Sequence, residues 1–348
     1  MTRNMKQANT TIFVGLDRFC ADRSDPIRNA AAPRWVATNA VDRRILKESV
    51  IVERLTFGPS RSIVRLDEGS DCYVCTLGFE HVDANYGLTE IDPNAGLLTV
   101  VLSELKPPPK ASTAQIRDAV EFGDASADPG YKGHSASSIS PLFAPLRSFK
   151  AKDVSTDDTW RLFFLLCVDE CRQADTWIDD KLAGTLLSLA ELESLNVPYR
   201  MLCRSVFDAD PGTMFLALYR CLEALYAHSS AVKLIKALGL TLGWADVAAA
   251  LEDQLDWHPR EENSLAALFA KASNADLADL FAALGETPSK EGGSLAGPAS
   301  KRIYRLRNGL VHYRPSSHRV DYTNVDWNRL CQTTATLVWH IYSEIFPL

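Results

Sequence analysis

The spacing of hydrophobic positions changes near the middle of the chain. Up to about residue 105, short runs rich in β-branched and aromatic residues alternate with polar clusters. These runs are Thr11-Ile12-Phe13-Val14, Ser49 to Phe57, Ser62 to Leu66, Cys72 to Phe79 and Leu97 to Leu102. Runs of this length and composition predict strands. Gly58-Pro59-Ser60 and Asp67-Glu68-Gly69-Ser70 supply turns between the middle three. An antiparallel meander or small barrel is therefore expected over residues 1–105. Lys106-Pro107-Pro108-Pro109-Lys110 interrupts regular structure, because proline fixes φ and has no N–H to donate. Residues 123–141, rich in Gly, Ser, Ala and Asp, extend the irregular reading, so 106–154 is expected to be a connection between domains.

From about Ser155 the period becomes helical. Ser155-Thr156-Asp157-Asp158 offers caps ahead of Trp160, Phe163, Phe164, Cys167, Val168 and Cys171. A second helix is predicted over 176–194. A third opens at Asp210-Pro211, with Phe215, Leu218, Leu222 and Leu225 as its stripe, and runs to Leu238, where Gly239 stops it. Shorter helices follow over 244–255, 261–272 and 275–284, then one from Ala299 to Tyr313 that Pro315 ends. Asn324 caps a final helix carrying Trp327, Leu330, Leu337, Ile341 and Ile345. The expected class is α+β, with a strand-rich N-terminal domain (1–105) ahead of an all-α bundle (155–348).

Composition changes this picture little. At 348 residues, 46% hydrophobic and 23% charged, the chain has room for two buried cores. Its net charge of −7 argues against a protein that coats nucleic acid over its whole surface. Of the eight cysteines, those at 167, 171, 203, 221 and 331 fall in helical apolar patterns, where a free thiol acts as a small hydrophobe. No basic-then-apolar leader opens the chain and no apolar run would span a bilayer. A cytoplasmic protein without disulfides is expected.

Charge distribution matters more than the total. Residues 301–320 hold Lys301, Arg302, Arg305, Arg307, Arg314 and Arg319 and no acidic residue. Within them, Arg307-Asn308-Gly309-Leu310-Val311-His312 sets an arginine and a histidine four residues apart, on the penultimate helix of the bundle. An imidazole titrates near neutral pH and can move the protons of phosphodiester cleavage. A guanidinium can clamp phosphate with two donors. Arg302, Arg305 and Arg314 become candidates for holding the RNA backbone. On a regular helix Asn308 and His312 share a face. Arg307 lies about 140° around from His312, so one helix does not bring them to one face, and a cleft between two antiparallel copies could gather both pairs.

This motif, with the helical pattern of residues 155–348, resembles the HEPN ribonucleases. The strand-rich first part lies outside the resemblance. The Tyr219-Arg220-Cys221-Leu222-Glu223-Ala224-Leu225-Tyr226 stretch is similar to the earlier helix that bears an acidic residue in several such domains. The resemblance implies a homodimer whose paired motif helices cut RNA without a metal or other cofactor, leaving a 2′,3′-cyclic phosphate and a 5′-hydroxyl. It implies Arg307 and His312 as the catalytic pair, Asn308 as auxiliary and Glu223 as the group that orients Arg307. Some members place a tyrosine two residues after the histidine; here Arg314 stands there and Tyr313 comes one residue early.

Other motifs yield less. Cys72-Tyr73-Val74-Cys75 has no partner pair and sits in a strand pattern, which places the two thiols on opposite faces. Trp257 to Glu262 reads as a loop whose carboxylates suit a helix N-terminus. His340 reads as a packed or interface histidine. No Gly-rich phosphate loop, GxSxG or HExxH occurs. The expected function is an endoribonuclease effector. By analogy with bacterial defence and toxin proteins, its N-terminal domain would sense a trigger or recruit substrate. The alternative is a catalytically inactive HEPN-like module that dimerises or binds RNA or protein.

Overall fold

The computed structural model describes residues 3–82, 86–92, 94–121, 130–152, 154–174, 176–192, 197–288, 293–312 and 323–346. They form two compact units, Met1–Thr159 and Trp160–Leu348.

The first unit is a five-stranded antiparallel sheet with helices. In chain order the strands are β1 (Val50–Phe57), β2 (Arg61–Glu68), β3 (Asp71–Leu77), β4 (Leu88–Ile91) and β5 (Leu146–Ala151). Their order across the sheet is β1-β2-β3-β5-β4, so the expected meander of the first three is present and the sheet is open, not a barrel. β1 and β2 pair from Val50–Asp67 to Phe57–Arg61, with a bulge at Ile51/Glu53. Gly78, just past β3, has φ +71°, and an added Cβ there would lie 2.2 Å from the Ser60 carbonyl oxygen. Glycine is needed at that crossing.

Two predicted strands are helices. Thr11–Val14 lies inside α1 (Met5–Ala21), and Leu97–Leu102 lies inside α3 (Ala95–Leu105). In α1 the Asn4 side chain accepts from the Gln7 N–H at 3.2 Å, and Ala8, Ile12, Leu16 and Cys20 recur every four residues on one buried stripe. α3 is apolar nearly all round because it is buried nearly all round. A short continuous apolar run does not by its period distinguish helix from strand. Asn94 caps α3 through the Leu97 N–H, and Lys106 closes it in the left-handed region. α2 (Ala40–Glu48) opens with a reciprocal capping box between Asn39 and Asp42. The three helices and the sheet side chains Val64, Leu66, Tyr73, Cys75 and Leu77 share one apolar core.

Residues 106–154 are not a linker. α4 (Thr113–Glu121) and α5 (Ala136–Ile139) lie there, and β5 occupies a position inside the sheet, hydrogen-bonded to β3 on one side and β4 on the other. Residues 122–129, within the predicted irregular stretch, lie outside the described residues. A fragment ending at Leu105 would leave β4 without a partner strand and β3 unpaired along one edge. It is expected to be unfolded, whereas a fragment ending at Thr159 is expected to melt cooperatively. Circular dichroism against temperature on the two fragments checks this, and a cooperative transition in the shorter one would refute it.

The second unit is helical: α6 (Thr159–Gln173), α7 (Asp180–Leu189), α8 (Tyr199–Val206), α9 (Pro211–Glu223), α10 (His228–Leu238), α11 (Trp244–Leu255), α12 (Glu261–Phe269), α13 (Asn274–Ala283), α14 (Ala296–Val311) and α15 (Trp327–Ile345). The predicted long third helix is two, α9 and α10, with a break at 224–227. α15 packs against α7, α9 and α13 and is the unit's central helix. Its Leu337 and Ile341 are fully buried, and the Tyr342 hydroxyl donates to the Cys221 carbonyl at 2.9 Å. Most of the apolar stripe of the last helix is thus used in the core of its own protomer, while Trp327, Trp339 and Ile345 are only partly buried. No helix of the described residues is long and apolar enough to cross a membrane.

Candidate functional site

The motif helix α14 is held by Ala299, Ser300, Ile303 and Leu306, all buried, against α12, α13 and α9. α9 starts where Asp210 accepts from the Gly212 N–H at 2.9 Å and Pro211 takes the first helical position. Its buried stripe includes Phe215, Leu218, Tyr219 and Leu222. Leu306 on α14 is buried, so the residue after it, Arg307, is turned toward the flank of the helix.

Arg307 meets Glu223 there. Its Nη2 donates to Glu223 Oε1 at 3.0 Å and its Nη1 to Asn308 Oδ1 at 3.0 Å. The guanidinium carbon lies 5.9 Å from the centre of the Tyr219 ring. The Arg307 and Glu223 side chains are 21% and 25% exposed, so the pair lines the surface and is open to a ligand. Beneath it the Tyr226 hydroxyl donates to the Tyr219 oxygen at 2.7 Å. Burial works against the Arg307 charge, but the Glu223 and Glu261 carboxylates outweigh it and hold its pKa above the ordinary arginine value. Burial pushes the Tyr219 phenol up to about 12 and the Tyr226 phenol higher still. Both stay protonated near neutral pH and neither can act as a base there.

Glu261, in the first turn of α12, completes the cluster. It acts electrostatically on Arg307, Tyr219 and Tyr226, and its Oε2 is buried without a hydrogen-bond partner. Two carboxylates therefore flank one guanidinium. Of the six cations in the basic segment, three meet a carboxylate: Lys301, Arg302 and Arg307. Arg302 is paired with Glu286 at 2.7 Å and Lys301 lies 3.9 Å from Glu262. Arg305 is exposed and, among the described residues, makes no ion pair. Of the proposed phosphate contacts, Arg302 is therefore committed elsewhere and Arg305 is available. Arg314, with Tyr313 and Arg319, lies outside the described residues.

His312 stands where the chain leaves α14. Its N–H still donates to the Asn308 carbonyl at 3.0 Å, but its backbone is extended (φ −103°, ψ 124°), so the helix ends at Val311 and not at Tyr313 as expected. Its imidazole is exposed. Arg307 is drawn against α9 while His312 faces solvent, and no hydrogen bond joins them. Within one copy, then, Arg307, Asn308 and Glu223 come together and His312 stands apart, as the helical geometry of the sequence required.

Tyr219, Tyr226 and Glu261 were not read as site residues from sequence. The spacing of Tyr219, Glu223 and Tyr226, four and three residues apart on one face, is the signal that was present. Glu261 gave no signal beyond its capping role. The segment Trp257 to Arg260, ahead of α12, also walls a cavity of about 510 Å³ beside Tyr226, which Lys233, Ser229 and Asn263 help to line.

The remaining motifs are structural. Cys72 and Cys75 lie on β3 with free thiols, and burial raises both, to about 11 and about 12. Such thiols are poor nucleophiles and poor metal ligands at neutral pH. His340 is exposed and pairs with Asp276 at 3.2 Å, so it is not packed in the core. Among the described residues no group of three or more His, Cys, Asp or Glu side chains is placed to hold a metal ion. No family model, curated protein or solved structure matches the chain.

Proposed function

We propose that the helical unit is an endoribonuclease of the HEPN kind, cutting RNA by attack of the 2′-hydroxyl on the neighbouring phosphate. The observation that carries this reading is the placement of Arg307: two of its N–H groups are fixed by Glu223 and Asn308, leaving its other donors for a phosphate. A guanidinium held in advance loses little freedom when the phosphorane charge develops, which favours the transition state over the bound substrate. In the step itself the 2′-oxygen–phosphorus bond forms and the phosphorus–5′-oxygen bond breaks. One imidazole removes the 2′-hydroxyl proton and another protonates the departing 5′-oxygen. A single His312 cannot stand on both sides of one phosphate, so the reading places two copies of α14 around a shared cleft. The cavity beside Tyr226, with Lys233, Arg260 and Trp257, suits a flanking nucleotide, its cations for phosphate and its indole for stacking.

The test is digestion of cellular RNA by the purified full chain with EDTA present, with analysis of product ends. The reading expects cyclic-phosphate and 5′-hydroxyl termini. Binding without cleavage would instead support an inactive RNA-binding module. The N-terminal unit would then sense a trigger or recruit substrate, in a cytoplasmic defence or toxin role taken by analogy.

The shared cleft carries its own prediction. Val311, next to His312, is 48% exposed, an apolar side chain at the position where a second motif helix would pack. Light scattering is expected to give a mass near twice 38.4 kDa, and Val311→Glu is expected to shift it toward one copy with a parallel fall in cleavage. A strictly monomeric protein with full activity would remove the shared cleft.

A further inference from the structure

A groove runs along the exposed side of α1 in the first unit, with a volume of about 700 Å³, lined by Lys6, Thr10, Val14, Gly15 and Arg18 and, from the end of α3, by Lys106. It shares Gly15, Arg18 and Lys106 with an adjoining slot of about 230 Å³ walled by Phe19, Pro107 and Phe143. The result is a slot with apolar walls whose rim carries Arg18, Arg23 and Lys106 against one carboxylate, Asp22. No carboxylate lines the larger groove. Lys6, Arg18 and Lys106 are exposed and, among the described residues, form no ion pair. Several cations elsewhere in this unit are matched, among them Arg3 with Glu104, Arg34 with Asp17, Arg44 with Glu68, Arg117 with Asp25 and Arg147 with Glu90, whereas the three of the groove line it with no carboxylate among them. In an acidic chain, three unmatched cations around one groove call for an anion to complete them.

Two residues of this groove go against local preference. Gly15 stands in the middle of α1, where glycine weakens a helix, yet a Cβ added there would meet nothing within 4 Å. Packing does not require it. Lys106 ends α3 with φ +49°, a conformation for which glycine or asparagine is the favoured residue. Both line the groove and the slot. Positions that break a local rule without a packing reason are where function is expected. Here glycine keeps the floor low and lysine keeps a charge on the rim.

We infer that this groove binds a single-stranded RNA segment, with phosphates on Lys6, Arg18 and Lys106 and a base in the slot beside Phe19. Lys6 and Arg18 are separated by about 18 Å along the helix, which suits a strand better than a free nucleotide. The groove is read from its own cations; only the choice of RNA among polyanions rests on the ribonuclease reading.

The test is fluorescence anisotropy of a labelled oligouridine strand with the full chain carrying His312→Ala, so that binding is read without cleavage. The triple variant Lys6→Ala, Arg18→Ala, Lys106→Gly is expected to raise Kd by about 30-fold and to flatten the slope of log K against log salt by about 2, near 0.7 per lost contact. Gly15→Leu is expected to raise the melting temperature, because it removes a helix glycine into open space, and to weaken binding about tenfold by filling the groove. Binding within twofold of the parent in both variants would overturn the inference. Displacement of the strand by polyglutamate at equal charge would overturn RNA as the occupant in favour of an acidic peptide. A chain that binds through the groove yet never cuts RNA leaves this inference standing and removes the ribonuclease reading. Intact cleavage with unaltered binding in the variants does the reverse.

Discussion

His312→Ala lowers the rate of RNA cleavage by about 10³-fold in the expected outcome, the usual loss when a positioned acid–base group is removed. The folded structure is expected to be unchanged, because the imidazole is exposed at the end of α14 and only the backbone N–H of His312 bonds to Asn308. Substitutions at such positions commonly shift stability by no more than about 0.5 kcal/mol. Arg307→Ala is expected to be as damaging to cleavage but is a less clean probe. Removing the guanidinium takes from Glu223 its hydrogen-bonded partner and from Glu261 the cation it acts on, a destabilisation of about 1–3 kcal/mol. Arg307→Lys keeps the charge and loses the fork that bonds Glu223 and Asn308 together, so it is expected to restore folding but little activity. Single-turnover rates on one RNA, beside melting curves for each variant, separate the two effects. Cleavage by His312→Ala at the rate of the parent would remove the catalytic assignment altogether.

Legibility differed between the two units for physical reasons. β1, β2 and β3 were readable because glycine turns fix their ends, whereas α3 was not, because a helix buried on every side carries no polar face to reveal its period. β5 was obscured differently. Leu146-Arg147-Ser148-Phe149 follows a Gly/Ser-rich stretch and pairs with strands some 55 and 75 residues earlier, which only tertiary structure brings beside it. In the helical unit the stripes of Phe215, Leu218 and Leu222 announced α9. The break before α10 went unseen since no Gly or Pro marks it; Tyr226 turns inward there to reach Tyr219. The Arg307–Glu223 contact was suggested only through the HEPN resemblance, and Glu261 through nothing, because its place beside Arg307 depends on how α12 packs against α14. Counting charges along residues 301–320 gave a strong positive field. The folded chain answers three of those cations with carboxylates drawn from distant segments: Glu223, Glu262 and Glu286. Sequence shows where charges sit along the chain; their neutralisation is a property of the fold.

That neutralisation makes Glu223 the residue whose removal separates positioning from binding. If Glu223 holds Arg307 at the angle the phosphorane needs, Glu223→Ala frees the guanidinium to swing by an ångström or more, and misplacement of that size costs about 10²-fold in rate. The same change removes a competing anion from Arg307, so the ground-state grip on RNA tightens. The expected signature is a kcat about 10²-fold lower with KM also lower, and a steeper salt dependence of binding by about 0.7, one added phosphate contact. Glu223→Gln retains an acceptor for the Arg307 Nη2 while losing the charge. It is expected to recover part of kcat yet keep the tighter KM, which a role confined to stability would not produce. The pair is about one-fifth to one-quarter exposed, so melting temperatures of both variants are expected to stay close to that of the parent. Should Glu223→Ala raise KM at constant kcat, Glu223 would be contacting substrate itself. Should neither constant change, the ion pair would be a surface contact and Arg307 would need another reason for its place in the site.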